Sequence, residues 1–198
     1  MLVHAGATVR CTLPFRRDIL GPPCGAHIIR NVIALRYTYV LALVLWLGGM
    51  VILGAIVAPA TFQVLQSHTE VPGMVGRLIA GDVFGTVLGR FHYLAYGCGV
   101  LLLLTLVAMA VLGPRPAGFA IRAGVIVLML GIAVYSGVVI SGSIQRVQQA
   151  IGERVSPSTL PGTDERRIQF DRLHQLSTRL MMVNMAGALV LLYWQARE

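Results

Sequence analysis

The residues of this chain with chemical potential are histidine, methionine, tyrosine and arginine set inside or beside long apolar runs. His92 and Tyr96 stand four apart in "GRFHYLAY", so on a helix they share a face. His174, Thr178, Met181 and Met185 follow 4-3-4 spacing in "LHQLSTRLMMVNM" and would form one stripe. Imidazole and thioether groups suit copper, and imidazole also ligates haem iron. The plainer reading is that border histidines form hydrogen bonds and that a methionine stripe fills packing gaps. On that reading no cofactor is expected. The alternative is haem b or copper held by His92 and His174, with Met181 and Met185 as further copper ligands. Arg90, Ser177, Arg179 and Asn184 complete the polar set, since polar groups at membrane depth are expensive and often functional. Helices of alternating direction start the second and fourth spans at one membrane face. His92 follows Arg90 closely and His174 shortly precedes Arg179, so both histidines are expected at one depth. The expectation is one interfacial polar cavity between these helices, lined by Arg90, His92, Tyr96, His174, Ser177, Arg179 and Asn184. No nucleophile–base triad, phosphate loop or paired-carboxylate motif is visible. Hydrolytic and phosphoryl-transfer enzymes therefore have little support, and a non-enzymatic protein is the expected class.

The elements that must position these groups follow from composition. The 198 residues are 56 % hydrophobic and only 12 % charged, about half the charge of a soluble domain at roughly 25 %. That excludes a disordered chain and disfavours a soluble enzyme domain. The net charge of +8 comes from 16 basic residues, all arginine, against 8 acids. Nucleic-acid binding would need a solvated arginine face with interleaved aromatics; here the arginines flank apolar runs and suit lipid headgroups instead. The lipid bilayer is the expected partner, and no nucleic acid is. The absence of lysine points to a GC-rich, bacterial genome and thus to the inner membrane. Cys11, Cys24 and Cys98 form no metal-spacing motif and no closed disulfide framework. Residues 1–34 read as a basic, flexible extension without a secretory signal.

A bilayer core of about 30 Å needs roughly 20 apolar residues in a helix. The charge-free runs Tyr37–Phe62, Phe91–Pro114 and Ala123–Gln145 meet that requirement and give spans at about 37–62, 88–112 and 122–145; a fourth span is expected at 173–196 with Arg179 snorkelling or facing inward. The fold expected for residues 35–198 is all-α: an antiparallel, up-down bundle of four transmembrane helices. "MVGRLIAGDVFGTVLGR" should be helical and run directly into the second span. "QRVQQAIGERV" should extend the third, and "TDERRIQFDRLH" should restart a helix with Thr163 as its N-cap. Pro59 removes a backbone donor and should kink or end the first helix. Gly81, Gly85 and Gly89, four apart, bare one helix face to a close neighbour, either inside the bundle or in a second copy of a homo-oligomer. The arginine count is tied between the two sides. The short turn carries two arginines and no acid, which favours both termini in the cytoplasm.

Three stretches together resemble a known family: "RYTYVLALVLWLGGMVILGAIVAPATFQVL", "GRLIAGDVFGTVLGRFHYLAY" and "FDRLHQLSTRLMMVNMAGALVLL". They are similar to the transmembrane protein 205-like proteins (domain of unknown function 4149). Trp46, Gly48, Gly49, Ala58, Pro59, Phe62, His174, Ser177 and Asn184 carry the likeness, which covers about residues 35–193. It implies a four-helix membrane protein and assigns no chemistry. The "LWLGG" helix is also similar to helices of copper-resistance proteins and haem-binding membrane oxidases, a likeness that transfers no ligand. Two function classes stay open. One is a small transporter-like, accessory or assembly subunit, working as a homo-oligomer or within a larger membrane complex. The other is a metal or haem protein using His92 and His174.

Overall fold

Runs of Leu, Val, Ala and Ile become helices in an apolar medium because each backbone group must find its partner within its own segment. The computed structural model describes residues 24–67, 73–112, 118–152, 155 and 157–197, and these form helices and short connections with no strand among them. The helices are α1 (Cys24–Ile52), α2 (Ala58–Ser67), α3 (Gly73–Leu112), α4 (Phe119–Val134), α5 (Ser141–Ile151) and α6 (Glu165–Ala196). A π turn at Leu53–Val57 joins α1 to α2, and another at Tyr135–Ile140 joins α4 to α5. Four spans result: Val32–Ser67, Val75–Leu112, Phe119–Ile151 and Glu165–Ala196, each long and apolar enough to cross a membrane. The chain is an all-α, multi-pass membrane protein.

Local details depart from the sequence reading in three places. Helix α1 begins at Cys24, within the segment expected to be flexible, directly after Pro22 and Pro23; residues 1–23 lie outside the described residues. Pro59 does not end the first span. The ladder widens ahead of it, with the Ala58 amide donating to Leu53 O five residues back, and the helix continues to Ser67. A π turn is one of the ways a helix makes room for such an irregularity. The N-cap of α6 is Asp164, not Thr163: the Asp164 Oδ1 accepts from the Arg166 amide at 2.9 Å. As expected, "MVGRLIAGDVFGTVLGR" runs as helix directly into the second span: α3 is 40 residues long, about 60 Å at 1.5 Å per residue and twice the bilayer core. Its first half is length beyond what a bilayer core needs, an extension against which α2 packs.

The spans form a ring. The first packs on the second, the second on the third, the third on the fourth, and the fourth closes on the first. Tyr39, Leu43, Trp46, Leu102, Leu106, Ile126, Met129 and Leu191 fill its centre, each at most 2 % exposed. Glycines set the closest approaches. A methyl group at Gly99 would come within 2.8 Å of Leu130 Cδ1 and 3.2 Å of the Trp46 ring, and one at Gly49 would overlap Phe91. Spans one and two thus exchange a large residue for a glycine in both directions. In the extension, a side chain on Gly76 would overlap Leu65 O, fixing the α2–α3 contact. The Arg166 guanidinium donates to Ala150 O, and Arg167 donates to Leu160 O, tying α6 to α5 and to the loop before it.

Gly81, Gly85 and Gly89 contribute little to this interior. Gly81 meets only Gln148 Nε2, at 3.8 Å, and a methyl group at Gly85 or Gly89 would meet nothing within 4 Å. Packing inside the bundle runs instead through Gly49, Gly99, Gly137 and Gly187, because those glycines face large side chains across the ring.

Candidate functional site

The polar residues divide into a cluster on α3 and a stripe on α6. On α3, His92 and Tyr96 do share a face, and that face lies against the π turn of span three. Gly137 makes the approach possible: a Cβ there would lie 2.8 Å from His92 Cδ2 and would overlap the Tyr96 hydroxyl. The Tyr96 hydroxyl donates to Ala133 O at 3.4 Å. The His92 Nδ1–H donates to Leu88 O at 2.9 Å; a carbonyl can only accept, so in the neutral ring Nε2 is left as the acceptor. The two rings lie 6.2 Å apart, and Tyr93 meets Tyr96 edge-on at 6.1 Å. Tyr93 itself is 77 % exposed, and Arg90 is exposed beside it. Such a Tyr–Arg border is what a membrane–water interface favours.

On α6 the inward stripe is Phe170, Ser177, Asn184 and Leu191, spaced by sevens and increasingly buried along the helix. His174 stands beside that stripe and is exposed, its ring parallel to Phe170 with centroids 6.2 Å apart. Thr178 spends its hydroxyl on His174 O at 3.0 Å. Arg179 is exposed. Met181 and Met185 are partly buried against the apolar core, with Met181 Cε reaching Gly54. Asn184 is 5 % exposed, and its Oδ1 has no protein partner among the described residues.

The residues expected to share one cavity therefore occupy different surroundings. Spans two and four face each other diagonally, with spans one and three between them. His92 is held by span three, while His174 faces outward, so the two imidazoles are not brought together. Among the described residues, no three of His, Cys, Asp and Glu converge where they would hold a metal ion. Ser177 and Asn184 do turn inward, as part of a seven-residue repeat that the 4-3-4 histidine–methionine spacing obscures.

Sequence reasoning treated Arg122 as a flanking charge, yet it is 2 % exposed. It lies in the first turn of α4 and donates to Trp194 O at 3.3 Å and Gln195 Oε1 at 3.4 Å. A cation at a helix C-terminus meets the negative end of the dipole and the last unpaired carbonyls. Antiparallel neighbours bring the start of span three to the end of span four, and that topology is the signal that would have found it.

No curated protein and no solved structure matches this chain. A family model described as a domain of unknown function (DUF4149) matches residues 41–153, which take in the His92–Tyr96–Gly137 contact and leave span four outside. The chain, a four-span membrane protein, belongs to the DUF4149 family.

Proposed function

We propose that the protein is a non-enzymatic accessory or assembly subunit that works by helix contact with a second copy of itself. The observation that carries this reading is the open face of α3. Gly85 is exposed, a side chain on Gly85 or Gly89 would meet nothing of its own chain, and Val75, Ile79 and Val83 are exposed nearby at 41 to 43 %. Bare backbone lets two helices approach closely, and these residues precede the apolar run, where lipid tails do not cover them. A bacterial inner membrane with both termini in the cytoplasm is the location that fits the arginine pattern. The narrower grouping with the transmembrane protein 205-like proteins rests on Trp46, Gly49, Pro59, His174 and Asn184. Copper and haem readings need His92 and His174 to converge, and their diagonal placement supports hydrogen bonding instead.

The test is disulfide trapping in native membranes. With the native cysteines removed, Gly85→Cys should crosslink to a second copy, whereas Val138→Cys, on the exposed surface of span three, should not. Substituting Gly89→Leu in the Gly85→Cys background should abolish the crosslink. Equal trapping at both positions, or none at Gly85→Cys, overturns the reading.

A further inference from the structure

Hydroxyl groups and amide carbonyls face different problems inside a helical bundle. The middle of a helix has no spare N–H, but its carbonyls can accept a second bond. Thr38, Thr105, Ser143 and Thr178 solve their problem this way, each donating to the carbonyl four residues back at 2.7 to 3.0 Å. An amide oxygen has no such recourse, because it needs a donor and a mid-helix backbone offers none. Asn184 Oδ1 is in that position: 5 % exposed, with no protein partner among the described residues.

The surroundings can be placed by height. Gly187 packs on Met129, where a methyl group would come within 2.9 Å of its sulfur. Spans three and four run in opposite directions. Asn184, before Gly187 on α6, and Ala133, after Met129 on α4, therefore lie about one turn from that contact toward the same end. Ala133 O is the acceptor of the Tyr96 hydroxyl, and the buried Ser136 follows it on the inward stripe of span three. Small residues lie at this height: Ala95 and Ala133 are at most 4 % exposed. The layer thus holds an acceptor in need of a donor, further oxygens and little side-chain bulk. A buried water needs two to four polar partners and room. The described carboxylates, Asp82, Asp164, Glu165 and Asp171, all precede the apolar runs of their spans. A cation here would lack a counter-charge in a medium where that is costly, so a neutral donor fits.

We propose that Asn184 anchors an internal hydration site, in which one water donates to Asn184 Oδ1 and completes its bonds in the layer of Ser136 and the Tyr96–Ala133 pair. The experiment is a crystal structure of the full chain grown from a lipidic mesophase, at a resolution that shows ordered water, beside that of Asn184→Leu. The expected result is a density peak about 2.8 Å from Oδ1 in the native protein and none in the variant. The thermal midpoint in detergent should stay the same or rise in Asn184→Leu, since an apolar residue of similar size displaces the water and strands no protein group. A native structure in which Oδ1 accepts from a protein donor, or contacts only apolar atoms with no density, overturns the proposal. A fall of several degrees in the midpoint of a still-folded Asn184→Leu also counts against it, because that would reveal a protein partner left unpaired.

Discussion

Gly137 shows how closely the candidate cluster depends on one missing side chain. His92 and Tyr96 both press on it, so Gly137→Ala forces at least one ring to move. Overpacking of this kind costs about 1–3 kcal/mol. Gly97→Ala meets no atom within 4 Å and should be neutral or slightly stabilising, since alanine is the better helix former by up to ~1 kcal/mol. Thermal unfolding of the two variants in the same detergent checks the contrast; equal effects would mean that Gly137 is not in close contact. Arg122→Met should also destabilise the bundle, by about 1–3 kcal/mol, because it removes the charged donors that tie the start of α4 to Trp194 O and Gln195 Oε1 at the end of α6. The same denaturation measurement reads it. At this scale the sequence was partly legible. The spacing of His92 and Tyr96 placed them on one face, and the depth of Asn184 marked it as costly. Gly137 as their common neighbour was not legible, nor was the outward turn of His174, because both depend on how two helices are rotated against each other.

Among the elements, α6 has the clearest electrostatic start. The Arg166 side chain and amide hold the Asp164 carboxyl below its usual range. A carboxylate whose folded value is depressed adds stability above its unfolded value of about 3.9, and that stability is lost as pH falls through the folded value. Asp164→Asn keeps a capping side chain and removes the charge. It should lower the thermal midpoint slightly at neutral pH, and the gap from the native protein should close below about pH 4. A gap that is constant with pH would show that the charge is irrelevant. The spans themselves were legible because an apolar run of sufficient length has one outcome in a bilayer. Their ends were less so. Whether Pro59 stops a helix is decided by a shift to five-residue hydrogen bonding, which leaves no pattern in hydrophobicity, whereas the helical entry to span two in "MVGRLIAGDVFGTVLGR" was legible.

For the whole molecule, sidedness is the property most open to a direct check. With both termini cytoplasmic, Ser158→Cys in a chain cleared of native cysteines should react with an impermeant thiol reagent on intact cells, and Ala117→Cys should not. The reverse pattern would invert the protein and leave its four spans intact. The two π turns carry a separate implication, which is mechanical. Spans two and four are unbroken helices along their whole length, while spans one and three each contain a short stretch of wider winding. Stiffness is therefore shared unevenly: two posts resist bending and two have a compliant joint. A sideways load would be borne by the two continuous posts, and strain would collect at the two joints, beside the Gly54–Met181 and Gly137–His92 contacts.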